Sequence, residues 1–230
     1  VTGQDGAYLA DFLLKKGYEV FGSIRRTSHR QLERLESMDI FGKVKLIYVD
    51  LIDQSSLNRI MKMTQPDEIY NLAAQSFVGV SFVEPFLTTE ITGIGALRVF
   101  EAIREFSPHS KVYQASSSEM FGEDNSPNKN EKSAFKPVSP YAVAKLYSYW
   151  MVRAYRKGYD MYATNGILFN HESPLRGLEF VTRKISNGVA KISLGLSKSL
   201  KLGNFNAKRD WGYAPEFVEG MWKMLQQKNP

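Results

Sequence analysis

The sequence predicts an α/β fold, a doubly wound parallel sheet covered by helices on both faces, and three observations carry that expectation. Short stretches rich in Val, Ile, Leu and Tyr alternate with stretches whose apolar residues recur at helical spacing, the pattern of parallel strands joined through helices. Two glycines, Gly3 and Gly6, open directly into the first helical stretch, a turn that lets backbone approach a phosphate at a helix N-terminus. Residues suited to acid and base chemistry follow the later strands, where open parallel sheets hold ligands.

Each element follows from its residues. Residues 8–16 carry Tyr8, Leu9, Phe12 and Leu13 at helical spacing, and Gly17 supplies the stop. Residues 20–24 and 44–49 read as strands, the second ending at Asp50. A helix over about 55–63 leads through Pro66 to a strand over 68–72. The next helix starts near Pro85 and carries Leu87, Ile91, Ile94, Leu97, Val99 and Ile103, with a strand over 111–115 after it. From Gly122 to Pro140 the composition turns to Asn, Ser, Pro, Lys and Glu without an apolar period, as expected of a loop over a site. Ser139 and Pro140 supply an N-cap and a first-turn proline to a helix running through Trp150 and Val152 to Tyr155. Residues 164–169 form the last strand, and 170–174 the loop leaving its C-terminal end. Val1-Thr2-Gly3 reads as the middle of a glycine motif, so a further strand and glycine are expected ahead of Val1.

A chain of 230 residues suits one large core and is short for two. Its 43% hydrophobic and 13% aromatic residues are those of an ordinary globular protein, with no internal repeat or low-complexity tract. The absence of cysteine excludes disulfides and thiolate metal sites and suits a reducing compartment. His29, His109 and His171 are too scattered for a metal-ligand pattern. No apolar run approaches the roughly 18 residues of a membrane span, so no membrane partner is expected. The formal charge of +6 and pI near 9.3 come from dispersed basic residues. That argues against nucleic acid, and a site for two pyrophosphates also draws cations.

The chemistry centres on Tyr141 and Lys145, spaced as Tyr-x-x-x-Lys, and on Ser116-Ser117-Ser118-Glu119. Helical positions i and i+4 lie about 6 Å apart on one face. Lys145 is therefore expected to lower the pKa of Tyr141 by stabilising its phenolate, making it a base near neutral pH. At a strand end, alternate side chains share a face, which groups Ser117 with Glu119 and Ser116 with Ser118. A phenol, an ammonium, a hydroxyl and a carboxylate together can oxidise a sugar alcohol and then eliminate water. With 12 tyrosines in the chain, about one Tyr-x-x-x-Lys is expected by chance. A surface Tyr and Lys on a helix is the competing reading, and order along the chain decides.

After the strand over 20–24, where the adenosine ribose of a nicotinamide cofactor would lie, stand Arg25-Arg26-Thr27-Ser28 with no acidic residue. Guanidinium groups pair with a 2′-phosphate that a carboxylate would repel, which favours NADP over NAD. A solvated basic loop is the alternative. Asp50 and Leu51 follow the next strand, where they could meet the adenine. Leu72-Ala73-Ala74-Gln75-Ser76 is small enough for backbone to pass close to a cofactor, although packing alone also explains Ala73 and Ala74.

These residues, with Glu68-Ile69-Tyr70-Asn71-Leu72, Tyr113-Gln114-Ala115 before the serines, Asn165 through Pro174 and Lys208-Arg209-Asp210-Trp211-Gly212, mark a resemblance. The chain resembles the extended short-chain dehydrogenase/reductases along essentially all of its length, and among them the 4,6-dehydratases of sugar nucleotides. The resemblance implies a Rossmann-like sheet, with residues 1–170 as an NADP-binding core carrying the catalytic groups and 171–230 as the start of a sugar-nucleotide region interleaved with it. It implies that Ser117, Glu119, Tyr141 and Lys145 are catalytic. It gives Gly3, Gln4, Asp5, Arg25, Arg26, Thr27, Ser28, Asp50, Leu51, Leu72, Ala73, Ala74, Gln75, Ser76, Lys145, His171 and Arg176 to NADP. Asn170, Arg183, Lys184 and Arg209 would meet the sugar nucleotide, the three cations being equally readable as surface charge. His171 is otherwise an ordinary hydrogen-bonded loop histidine.

The resemblance further implies a cytoplasmic enzyme of nucleotide-sugar metabolism, such as GDP-fucose formation, and a homo-oligomer, dimer or tetramer, with the loop over 25–30 as a contact. The substrate it implies is GDP-mannose, converted to GDP-4-keto-6-deoxymannose by C4 oxidation, loss of water across C5 and C6, and hydride return to C6. A 4-epimerase or 4-reductase, or an NADP-binding module without catalysis, is the alternative. Glu119 discriminates, since epimerases and reductases have no use for a second base at C5. The chain departs from the family's pattern at Ser117, where Thr is usual, at Leu87 in place of a cofactor-touching tyrosine, and at Glu179 in place of an asparagine. Family members also run well past Pro230.

Overall fold

The structure, a computed structural model, describes residues 1–28, 31–124 and 128–230. His29 and Arg30, the far end of the loop expected at a subunit contact, lie outside the described residues, as do Asn125, Ser126 and Pro127.

All strand pairing is parallel. β1 (Phe21–Ile24) pairs with β2 (Lys45–Tyr48), and β3 (Glu68–Asn71), β4 (Lys111–Ser117) and β5 (Ala163–Leu168) pair in that order. A third pair joins β6 (Asn170–Glu172) to β7 (Trp211–Tyr213). Helices cover both faces. On one, α3 (Gln54–Thr64), α6 (Gly95–Phe106) and α7 (Pro140–Tyr159) bury Leu57, Met61, Val99, Phe100, Ile103, Val152 and Tyr155 with Val112 of β4. On the other, α1 (Gln4–Lys15) and α9 (Ala214–Leu225) bury Leu9, Leu13, Val218, Met221 and Leu225 with Tyr113. Val112 and Tyr113 are consecutive, so the two cores meet opposite faces of one pleated strand. The α9 helix thus packs beside α1 on one face of β4 although the two are about 200 residues apart in sequence.

Among the described residues no strand lies between β1 and β3. Their facing edges line a cleft of about 1560 Å³. Val1 runs beside β1 for one residue, its α-amino group donating to the Ser23 carbonyl at 3.0 Å. Gly6 permits the approach, because a Cβ there would come 2.7 Å from the Val1 carbonyl oxygen.

Several elements differ from expectation for visible reasons. The helix expected from Pro85 to Ile103 is broken into α5 (Pro85–Thr88), a π-helical turn over Thr89–Ile94, and α6. The widened turn frees the Thr92 carbonyl, which accepts from Ser148 Oγ of α7 at 2.7 Å. The β4 strand reaches Ser117, two residues further than expected, and Ser118–Phe121 then forms a 3₁₀ turn. The segment 170–174, expected as loop, begins as β6 because β7 arrives to pair with it. Two short helices, α2 (Glu33–Ser37) and α4 (Val78–Ser81), and the longer α8 (Val181–Ser193) lie outside these layers' cores.

Candidate active site

The first turn of α7 places Tyr141. Ser139 Oγ accepts from the Ala142 amide at 3.1 Å, and Pro140 fills the first turn. Lys145 follows on the same face, its Nζ 5.8 Å from the centroid of the Tyr141 ring. Both side chains are buried, at 8% and 3% exposure. The Lys145 ammonium donates to the Ala115 carbonyl at 2.7 Å. That carbonyl also accepts from Gln114 Nε2 at 3.2 Å, and Gln114 Oε1 accepts from Asn71 at 2.7 Å.

Opposite stands the end of β4. Ser117 caps the 3₁₀ turn, its Oγ accepting from the Glu119 amide at 3.2 Å. Because the strand ends at Ser117, the alternate-face grouping does not apply to Glu119. The turn brings it round instead, and Ser116, Ser117, Ser118 and Glu119 all line the cleft with Tyr141 and Lys145.

Burial dominates the electrostatics. It pushes the Tyr141 phenol up to about 12, against the Ser117 hydrogen bond that draws it down, while the charge of Glu119 adds to the rise. Burial lowers Lys145 to about 8, against the charge of Asp5. The expected lowering of Tyr141 by Lys145 is therefore not what the geometry gives. The ammonium turns to a backbone carbonyl, and the cost of burying a phenolate sets the sign.

The same cleft is lined by Gly3, Gln4, Asp5, Arg25, Thr27, Asp50, Leu51, residues 72–76, Asn170, His171, Arg176 and Arg209, and by Leu87 and Glu179 from the departures noted above. Arg26 and Ser28 are exposed and outside that lining. Arg183 lines a separate cavity of about 420 Å³ with Glu172 and Thr182. Lys184 is exposed and lines neither. Among the described residues no cluster of three or more His, Asp or Glu could hold a metal ion, and no helix is long and apolar enough to cross a membrane.

The glycine turn is stitched to the segment after β5. Gln4 Nε2 donates to the His171 carbonyl at 3.1 Å, Ser173 Oγ to Gln4 Oε1 at 2.8 Å, and the His171 ring meets Asp5 at 2.8 Å. Arg34 of α2 spans both sides, donating to the Leu175 carbonyl at 2.7 Å and the Thr2 carbonyl at 3.1 Å. Sequence reasoning missed Arg34, and Phe217, whose ring stacks on His171. Neither carries a local signal, since each acts on residues more than 30 or 40 positions away.

The residues of the cleft fit a nicotinamide dinucleotide. A Cβ on Gly3 would meet nothing within 4 Å, leaving open space at the helix N-terminus where a pyrophosphate binds. A buried ammonium, a phenol and a hydroxyl line the same cleft.

Solved structures of sugar-nucleotide dehydratases and epimerases share this architecture. A double mutant of a dTDP-glucose 4,6-dehydratase from Streptomyces venezuelae, solved with NAD bound, matches with a TM-score of 0.86 at 22% identity, covering 99% of this chain and 70% of that one. RMD from Pseudomonas aeruginosa, complexed with NADPH, matches at 0.80 and 21% identity, covering 99% and 72%. At these identities the likeness speaks for the fold.

Sequence relatives go further. The family model described as GDP-mannose 4,6 dehydratase matches residues 1–230. A GDP-mannose 4,6-dehydratase of Sinorhizobium fredii is 53% identical, and those of Drosophila melanogaster and Homo sapiens are 51% and 49% identical, each over the whole of this chain. The chain belongs to the GDP-mannose 4,6-dehydratase family. It spans 68%, 60% and 64% of the length of those three relatives.

Proposed function

We propose that the protein converts GDP-mannose to GDP-4-keto-6-deoxymannose with NADP, as a carbon–oxygen lyase by outcome. The observation that carries this reading is the meeting of Tyr141 and Lys145 with Ser117 and Glu119 in one cleft. The relatives' names supply the substrate, and Arg25 beside Thr27 at the cleft rim supports NADP over NAD, since a guanidinium suits a 2′-phosphate. When bound, the nicotinamide supplies the acceptor and later the donor of hydride. Gly3, Gln4, Asp5, Asp50, Leu51 and residues 72–76 would hold it, and Arg209 and Asn170 would face the sugar nucleotide.

The chain's own groups do the rest. Tyr141 takes the proton of the sugar O4, with the Ser117 hydroxyl bonding the phenolate. Lys145 holds positive charge beside the ring. The 4-ketone acidifies the C5 hydrogen; Glu119 removes it and passes the proton to the C6 hydroxyl, which leaves as water, and C5 takes a proton back as the hydride returns to C6. Glu119 is what a 4-epimerase or 4-reductase would not need. Residues 1–170 form the cofactor half in this reading and 171–230 the beginning of the substrate half. A cytoplasmic homo-oligomer is the expected form.

Incubation with GDP-mannose and NADP⁺, read by mass spectrometry, tests this directly. Loss of one water from the sugar nucleotide supports it, and a product of unchanged mass, or one gaining two hydrogens, removes it.

A further inference from the structure

Asp5 stands in the first turn of α1, in the turn proposed to hold the cofactor's diphosphate. A carboxylate there repels the anion that the helix N-terminus otherwise attracts. His171 answers it. Its Nε2 faces Asp5 Oδ2 at 2.8 Å, and its Nδ1 faces the Phe169 carbonyl oxygen at 2.7 Å. A neutral imidazole has one N–H and one lone pair and can serve only one of those acceptors. Both are served only by the imidazolium. The ring also lies flat on Phe217, with centroids 4.5 Å apart and 13° between planes, a face that favours a cation. Phe217 is itself fixed beneath Gly212, where a Cβ would come 2.1 Å from the ring, and Gly212 pairs with His171 in the register of β6 and β7.

We propose that Asp5 and His171, seated on Phe217, are a protonation-dependent positioning pair that sets the charge of the diphosphate cradle. With His171 protonated the pair is neutral. With His171 neutral, Asp5 keeps only the Gln4 Nε2 bond at 3.0 Å and the field of Arg176, its negative charge faces the diphosphate without the imidazolium, and cofactor binding weakens. The proposal rests on the reading of the glycine turn as the cofactor site.

The surrounding charges fit this assignment. Arg176, from the segment after β6, pairs with Glu172 at 3.3 Å and lies over Phe180 at 3.6 Å, so it does not take Asp5 from the imidazole. Lys145 of α7 is in the field of Asp5, as are Tyr113 of β4 and Tyr141. Burial alone would lower His171, but the hydrogen bond and charge of Asp5, with the Phe169 carbonyl, outweigh it and raise the ring above its ordinary value against Arg176. One other buried group titrates nearby, Lys145 at about 8, and the charge of Asp5 raises it. Asp5→Asn therefore moves the Lys145 step as well, and the ¹⁵N signals of the His171 ring assign which step belongs to His171.

The test is the Kd for NADPH between about pH 6 and pH 9, by calorimetry, with the ¹⁵N signals of the His171 ring followed in parallel. The parent should bind about fivefold or more weaker once His171 loses its proton. Asp5→Asn should bind without that step, and His171→Gln should bind weakly throughout. Phe217→Leu, which keeps an apolar floor but not a π face, should move the step to lower pH. Both ring nitrogens should carry protons at pH 7. A His171 ring neutral at that pH, or a parent profile matching Asp5→Asn, overturns the proposal alone. Absence of NADPH binding at every pH overturns the cofactor reading together with it.

Discussion

Lys145 spends a proton of its ammonium on the Ala115 carbonyl, 2.7 Å away, rather than on the phenol of Tyr141 one helical turn back. The contact ties α7 to β4 two residues before Ser117, so the proposed Tyr141–Lys145 and Ser117–Glu119 couples are held in one frame. It also leaves a cation in a site where only 3% of the side chain is exposed.

That burial has a stability consequence. Burial brings the Lys145 pKa from 10.5 down to about 8, which corresponds to about 3 kcal/mol. Between those values the unfolded chain holds the proton more readily, so stability rises as pH rises from about 8. Lys145→Met should raise the melting temperature at neutral pH and abolish that alkaline gain. Turnover should fall about a thousandfold. Thermal melts across pH, paired with initial rates, check both.

The Asp5–His171 pair predicts a window of the opposite kind. Asp5 is lowered from 3.8, since hydrogen bonds from His171 and Gln4 and the charge of His171 outweigh burial, which raises it. Its contribution is present above its unfolded value and lost as acid reaches the folded one. His171 is raised from 6.5, so its contribution is full below that value and lost as pH climbs through the folded one. Stability from the pair should peak between these limits. Denaturant titrations of His171→Gln should show the parent's advantage largest near pH 5 to 6, roughly, and reduced above neutrality.

The pH profile of turnover carries the signs of the groups around Tyr141. With the phenol pushed up to about 12, activity should rise toward alkaline pH. Ser117→Ala removes a bond that favours phenolate and should move the rise to higher pH. Ser117→Thr keeps the hydroxyl and should leave it in place. Rates measured under saturating substrate test this.

Tyr113 predicts a structural outcome. Its hydroxyl is buried without a hydrogen-bond partner, and a Cβ on Gly166 would come within 1.9 Å of it. Tyr113→Phe removes an unsatisfied group and should leave stability unchanged or raise it by about 1 kcal/mol. Gly166→Ala should cost about 3 kcal/mol by overpacking. Melting curves of the two variants should shift in opposite directions or, for the first, not at all.

The alternation of strands with helices, the glycine turn and the N-cap at Ser139 were legible because each rests on neighbours in sequence. The cleft lining was legible for the same reason, since residues after parallel strands end on one edge. Three things were not. The π turn over Thr89–Ile94 depends on Ser148 reaching Thr92 from another helix. The direction of the Tyr141 shift depends on burial, which no spacing reports. The stitching of Thr2 and Gln4 to residues 171–175 depends on Arg34 and on chain segments brought together only by folding. Arg183 lines a separate cavity with Glu172, a placement that no local pattern reports.

The central claim is that Glu119 removes the C5 hydrogen of a 4-keto sugar made at Tyr141. Turnover of GDP-mannose in D₂O reads that step atom by atom. The parent should give a product short of one water and carrying deuterium at C5, whereas Glu119→Gln should leave the 4-ketone undehydrated and C5 unlabelled. Water loss and C5 labelling at the parental rate in Glu119→Gln would contradict the account.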